Sequence, residues 1–424
     1  MIKKWDVVIV GGGLAGYVAA NYLGRKGVSV LLLEKSSQVG GRARTVKIKQ
    51  NFFNIGPHAF YSKGQGREIL EELKVKLVGK SPSRRCTLVN NDQFYDAPFS
   101  PISILNTKLL NWHERFEWIN CLLKINRDIP IELEKINFQQ WVEQTASSES
   151  VRSLLYTLGR LATYCHAPSD TAAKVIVAQM KLAMKGTLYL DGGWQTIIDQ
   201  LHQQAVLLGV QIQTTATVTE INFRGMQAGF HILLADGKEI QGENMIYTAE
   251  PNKLNTLLKQ APTKKNTFYD RVMPVTAATL DVALTNLPHP KQIFSMGIED
   301  ALYFSVHSAS ARLSDQGNHI IHVLKYLSPD VNINSKEIKS ELESFLDKIQ
   351  PGWQEYKVNS RFLPQLIVNQ RLPKIGDEKK LESTGIPGLF LAGDWASADW
   401  ILSEGAIRSG KRAAMEIVQR KGRR

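Results

Sequence analysis

Residues 5–34 read W-D-V-V-I-V-G-G-G-L-A-G-Y-V-A-A-N-Y-L-G-R-K-G-V-S-V-L-L-L-E. Trp5–Val10 is an apolar run interrupted only by Asp6, as expected of a strand buried on both faces. Leu14, Val18, Ala19, Tyr22 and Leu23 recur at helical spacing, which predicts a helix over Leu14–Lys26. Gly27 ends it, because a residue without Cβ takes the left-handed backbone of a helix C-terminus at little cost. Val28–Leu33 reads as a second buried strand. The unit is therefore strand, tight turn, helix, strand, with the strands parallel and the crossover right-handed.

The turn carries Gly11, Gly13 and Gly16 at G-x-G-x-x-G spacing. Gly11 permits the tight turn, Gly13 lets a pyrophosphate approach the backbone, and Gly16 lets helix and strand pack closely. Leu14 and Ala15 then open a helix whose free N–H groups and dipole face the phosphates. Glu34, followed by Lys35, ends the second strand. A carboxylate there accepts both hydroxyls of an adenosine ribose and repels a 2′-phosphate, so NADP is disfavoured. The plain alternative is a glycine-rich turn with no ligand. The order strand, turn, helix, strand, acid argues against it.

NAD and FAD share such a half-site, but FAD is longer and needs contacts elsewhere. Two further clusters offer them. Residues 38–45, Q-V-G-G-R-A-R-T, bring Gly41 close to a ligand and Arg42 near its pyrophosphate. Residues 389–395, L-F-L-A-G-D-W, are a buried strand running into Gly393, Asp394 and Trp395. Asp394 is placed to accept hydrogen bonds from a ribityl chain. Residues 403–410, S-E-G-A-I-R-S-G, open the last helix. Its start near Gly405 and Ala406 would aim N–H groups at the flavin edge that becomes negative on reduction.

Residues 5–45 and 388–414, with these motifs, resemble the flavin-dependent amine oxidase superfamily, which also contains protoporphyrinogen oxidases and phytoene desaturases. Weaker matches extend the resemblance. N-I-G-P-H at 54–58 resembles a family loop near the flavin ring, through Gly56, Pro57 and His58, and D-G-G at 191–193 precedes a helix. The resemblance implies that Val218 meets the adenine through its backbone. It implies FAD and an α/β fold, a Rossmann-like FAD-binding domain with an interleaved α+β substrate domain. Residues 1–85, 186–270 and 371–424 are expected to form the FAD-binding domain, discontinuous in sequence, and residues 86–185 and 271–370 the substrate domain. Two departures matter. Amine oxidases commonly place a lysine near the flavin on the strand that Pro274–Leu284 resembles, and P-V-T-A-A-T-L-D-V-A-L has none. Relatives that tether FAD through a cysteine use the C-terminal section, and the last cysteine here is Cys165. Non-covalent FAD is therefore expected.

The 424 residues are 43% apolar and 22% charged, which excludes a disordered or collagen-like chain. Cys86, Cys121 and Cys165 are scattered and odd in number, so neither a disulfide framework nor a metal site is expected. The formal charge of +12 is spread along the chain, and no nucleic-acid partner is expected. The basic tail Arg420-Lys421-Gly422-Arg423-Arg424 reads as a solvated terminus, with weak peripheral membrane contact as the alternative. Lys3 and Lys4 before an apolar run imitate a signal peptide, but Asp6 and three glycines interrupt it. No segment reaches the ~18 apolar residues of a spanning helix. The expected location is cytoplasmic, with the membrane surface as the alternative.

No serine stands in a G-x-S-x-G context, and the carboxylates show no acid/base pairing, which argues against a hydrolase. Chemistry carried by a cofactor explains the missing acid/base pair. His58, Tyr61 and Trp395 are the candidates for the reaction-chamber walls, whereas Tyr156, Tyr164, His166 and Trp194 are expected in the core. The expected reaction moves a hydride from a C–C or C–N bond of an apolar small molecule to flavin N5. Oxygen or another acceptor then reoxidises the flavin. Amine oxidation, or flavin-dependent isomerisation without net redox, is the alternative.

Overall fold

The strand Lys4–Val10 is enclosed from Val7 onward, because neighbours flank it on both sides. It pairs in parallel with Val30–Leu33 on one side and with Glu239–Tyr247 on the other. The helix Leu14–Gly24 crosses between the first two strands. The chain then turns to Gly27, whose φ is +68°. The computed structural model describes residues 3–83, 85–90, 92–260, 266–329, 332–377, 381 and 384–422.

Among the described residues the first sheet has eight strands. Its order is Gln211–Gln213, Val30–Leu33, Lys4–Val10, Glu239–Tyr247, Phe230–Leu234, Val218–Phe223, Leu258–Gln260, and Leu389–Leu391 pairs in parallel with Glu239–Tyr247. The chain thus enters this sheet in three separate stretches. Gly410 in the final helix, Leu402–Lys421, explains how the chain ends meet. A Cβ there would lie 2.5 Å from the Ala15 carbonyl oxygen, so only glycine lets the last helix press this closely on the first.

The second sheet runs Lys357–Asn369, Val275–Leu284, His319–Tyr326, Leu302–Val306, Phe294–Gly297, Thr87–Asn90, Gln93–Asp96. Val275–Leu284 is buried throughout, and its side chains alternate between two cores. Leu280, Val282 and Leu284 pack under the helix Ser335–Ile349 with Leu342 and Leu346. Val275 and Ala277 face a helical layer containing Trp118, Leu154, Ile176 and Met180.

Two stretches of strand carry no clear signal in the sequence. Within residues 86–185, Thr87–Asn90 and Gln93–Asp96 form a hairpin on the second sheet. Lys357–Asn369 is a 13-residue strand that the sequence pattern hides. It contains Pro364, which a sheet tolerates because this strand is at the edge and its register shifts there.

Among the described residues no helix is long and apolar enough to cross a membrane. In the basic tail, Arg420 stacks over Phe390 and Lys421 pairs with Asp6 at 2.5 Å. Arg423 and Arg424 lie outside the described residues.

Candidate active site

A cavity of about 760 Å³ opens where the two sheets meet. One end is lined by Glu34, Lys35, Ala216 and Val218, and the middle by Gly11, Gly13, Gly41, Arg42, Gly393 and Asp394. The other end is lined by His58, Tyr61, Tyr164, Tyr189, Tyr303 and Tyr326.

The middle is shaped by glycines with different tasks. Gly11 sits at φ +113°, and a Cβ there would lie 2.4 Å from Thr248 Oγ1. A Cβ on Gly16 would lie 2.1 Å from the Gly11 carbonyl oxygen. Gly13 is the reverse case: a Cβ there meets nothing within 4 Å, so its missing side chain opens the cavity rather than relieving a clash. Gly13 also caps the first helix without a side-chain acceptor, and Leu14 and Ala15 line the cavity. The leading N–H groups of that helix are therefore left for an anion. Gly41 belongs to a second loop held against the first by the Gly40 N–H, which donates to the Gly12 carbonyl at 2.8 Å.

The Glu34 carboxylate is fixed by the N–H groups of Gly12 (2.7 Å) and Ser36 (2.8 Å). Each oxygen retains acceptor capacity toward the cavity. Arg42 donates to both oxygens of Asp394, at 2.5 and 2.7 Å, and to the Val368 carbonyl. The Gln370 N–H adds a third donor to Asp394 at 3.0 Å. Burial alone would depress the Arg42 pKa, but the Asp394 charge outweighs it and holds the guanidinium protonated.

The far end of the cavity is aromatic and uncharged. Tyr61 donates to the Ala162 carbonyl at 3.2 Å and Tyr164 to the Pro57 carbonyl at 2.7 Å. Burial pushes the hydroxyls of Tyr61, Tyr164, Tyr189, Tyr303 and Tyr326 above their ordinary pKa, so all five are neutral. His58 lies 3.1 Å from the Gly56 carbonyl through Nδ1, and its ring packs 4.9 Å from Trp194. Enclosure lowers its pKa to about 4, so it too is neutral at pH 7. The charged lining residues, Glu34, Lys35, Arg42, Arg44, Glu250, Lys253 and Asp394, belong to the other stretches of the cavity wall.

Behind the tyrosines lies a buried polar chain. Tyr303 Oη is 3.3 Å from His307 Nε2, and the His307 ring sits 4.5 Å from that of His322. His322 Nδ1 is 2.6 Å from Asp281 Oδ1, and Arg361 pairs with Asp281 Oδ2. Burial opposes a charge on Asp281, yet His322 and Arg361 outweigh it and lower its pKa.

Most sequence-derived candidates line this one cavity: Gly11, Gly13, Leu14, Ala15, Glu34, Lys35, Gly41, Arg42, Gly56, Pro57, His58, Tyr61, Val218, Gly393, Asp394 and Ala406. Gly16 and Gly405 do not; each is a close-packing position, and a Cβ on Gly405 would lie 2.6 Å from the Trp400 carbonyl oxygen. Trp395 is a correction. Its ring is fully buried, donates to the Ala249 carbonyl at 3.0 Å and packs edge-on against Tyr247 and Tyr269. The chain turns at Gly393, with the Ala396 N–H returning to its carbonyl, so Asp394 and Trp395 leave on different sides. Tyr164, expected in the core, instead lines the cavity; Trp194 packs in the core as expected, buried beside Phe60, and one side of it also reaches the cavity wall. The Nε1 of Trp194 is buried without a partner among the described residues.

The glycine opening at Gly13, the uncapped helix and the unpartnered Trp194 Nε1 fit an elongated, phosphate-bearing ligand. Comparisons with known proteins agree. The sequence model of the flavin containing amine oxidoreductases matches residues 14–418. The 15-cis-phytoene desaturase of Arabidopsis thaliana is 21% identical, over 98% of this chain and 80% of its own length. An oxidoreductase from Methanosarcina mazei superposes with a TM-score of 0.77 at 19% identity, covering 97% of this chain and 99% of that one. The cyclohexylamine oxidase of Brevibacterium oxydans gives a TM-score of 0.74 at 14% identity, over 99% and 100% of the two chains.

Proposed function

This chain belongs to the flavin containing amine oxidoreductase family and is a flavin-dependent oxidoreductase; from that premise we propose that it binds FAD without a covalent link and oxidises an apolar small molecule. The single observation that carries the substrate class is the uncharged aromatic end of the cavity, with five neutral tyrosines and a neutral His58. A polar or ionic substrate would lose hydration there without gaining a partner charge. The likeness to a phytoene desaturase, whose name gives it an apolar polyene, supports the same reading.

In this reading Glu34 holds the adenosine ribose, and the backbone of Val218 meets the adenine. The open backbone at Gly13, with the N–H groups of Leu14 and Ala15, holds the phosphates. Asp394, steadied by Arg42, accepts ribityl hydroxyls. FAD, when bound, supplies the hydride acceptor. The protein's own part is orientation and exclusion of water: Tyr61 and Tyr164 are tied to backbone carbonyls and present fixed faces, and His58 stands neutral beside the ring site. The proposed FAD-binding domain comprises residues 1–85, 186–270 and 371–424, and the substrate domain residues 86–185 and 271–370.

A second reading, amine oxidation, draws on the same tyrosines, since aromatic faces also attract ammonium groups. The test is an anaerobic donor screen on the purified flavoprotein, with polyenes, tetrapyrroles and amines, watching the oxidised-flavin absorbance. Bleaching by an apolar donor supports the first reading. Bleaching by amines alone replaces it with the second.

A further inference from the structure

Half of the large apolar side chains left exposed among the described residues lie between Ile102 and Ile131. Four are on the helix Trp112–Asn126: Trp112 (64% exposed), Phe116 (65%), Ile119 (37%) and Leu123 (54%). At about 100° per residue they fall within one stripe of roughly 60°. The buried residues of that helix, Trp118, Cys121 and Ile125, lie on the opposite face. The helix is therefore apolar toward the core and apolar again toward the outside. Ile102 and Leu105, on the preceding helix Pro101–Asn106, and Ile131 extend the outer patch. An exposed patch of this kind marks an interaction surface.

The charges around it select the occupant. Both carboxylates of the helix are turned to local use. Glu114 accepts the Asn111 N–H at 2.8 Å as part of a capping box. Glu117 is held by the hydroxyl and N–H of Ser147 and the N–H of Ser148. Asp128, at the far end, lies 3.7 Å from Lys181, and Glu132 is the exposed acid beside Ile131. Lys108, Lys124 and Arg127 are exposed, and among the described residues none of them is ion-paired. Arg115 stacks over Trp112 at 4.6 Å. An apolar stripe with Trp and Phe at its head and unpaired cations at its flanks matches a helix lying in the plane of an anionic lipid surface. At about 22 Å the helix is too short to cross a bilayer. A second copy is a poorer occupant, since a two-fold contact would bring the same unpaired cations together.

We propose that the outer face of Trp112–Asn126, with Ile102, Leu105 and Ile131, docks this protein on an anionic membrane surface. Of the basic C-terminal tail, Arg420 and Lys421 are engaged with the protein body. The inner face of the same helix packs in one core with Leu154, Leu158 and Met180, from the two helices that carry Leu161, Ala162 and Ala183 to the cavity wall. A docked protein would thus hold its aromatic chamber one helix layer from the lipid.

Vesicle flotation of the purified flavoprotein tests this, using phosphatidylcholine vesicles with and without phosphatidylglycerol. The protein should float with the anionic vesicles. Trp112→Ser with Phe116→Ser should weaken binding at least about tenfold, through loss of buried apolar area, with flavin content and melting temperature unchanged. Lys124→Glu should weaken binding to anionic vesicles only. Wild-type protein that stays unbound, or a double variant that floats like wild type, overturns the proposal. So does a wild-type dimer that the double variant makes monomeric without any vesicle binding. Binding is read without turnover, so its failure leaves the flavin reading intact, and the reverse also holds.

Discussion

Arg42 and Asp394, 352 positions apart in sequence, form a two-point ion pair at 2.5 and 2.7 Å in the middle of the cavity. One belongs to the loop after Glu34 and the other to the turn after the last strand. The pair therefore joins both glycine-rich ends of the chain at the wall of one cavity. Asp394→Asn keeps the shape but leaves the Arg42 charge uncompensated. FAD affinity should fall about tenfold or more, roughly 1.4 kcal/mol, measured by titrating the apoprotein with FAD.

Gly11 and Gly13 separate folding from binding. Gly11→Ala places a methyl against Thr248 on a backbone at φ +113°, and should cost about 1–3 kcal/mol of stability. Gly13→Ala meets no protein atom, so the apoprotein should melt within a degree or two of wild type, about 0.5 kcal/mol. Its FAD affinity should nevertheless drop. Equal losses of stability in the two variants would contradict this division.

Glu34→Arg should abolish most FAD binding, because it exchanges a ribose acceptor for a donor and orphans the Gly12 N–H. Glu34→Gln retains acceptor capacity and should weaken binding less. Full flavin occupancy in the arginine variant at low FAD concentration would refute the ribose placement.

Asp281→Ala strips the buried partner from His322 and Arg361. Removing one member of such a pair typically costs about 3–5 kcal/mol, so the melting temperature should fall sharply. Restoring shape without charge, as Asp281→Asn, should recover only part of the loss.

Acid should destabilise the fold. Enclosure lowers His58 and His166 to about 4, and His307 falls well below its usual value. Below pH 6.5 the unfolded chain binds protons that the folded chain refuses. Stability is therefore complete above 6.5 and declines as pH falls toward 4. Melting temperatures across that range should drop, and the drop should be shallower in His58→Phe. A flat profile would show that the histidines are not buried neutral.

The glycine-lined half of the cavity is legible in the sequence because its signals are local. Gly11, Gly13, Gly16 and Glu34 sit within one strand–helix–strand unit, where spacing alone states the geometry. Tyr164 lines the cavity rather than the core because aromatic residues at helical spacing are as consistent with a core as with a wall, and only the packing of two sheets decides. Trp395 erred the other way: adjacency to Asp394 suggested the cavity, and a turn sent it into the core. The Asp281–His322–Arg361 cluster spans three strands and has no sequence spacing. A lone carboxylate inside V-T-A-A-T-L-D-V-A-L was its available signal, since such a group demands a buried partner.

The most direct measurement of the central claim is the identity and stoichiometry of what the purified protein holds. After acid precipitation, chromatography of the supernatant should yield FAD at about one per chain, with a colourless pellet. A protein that is colourless as purified and takes up no FAD on titration, or a flavin that stays with the pellet, would contradict the account.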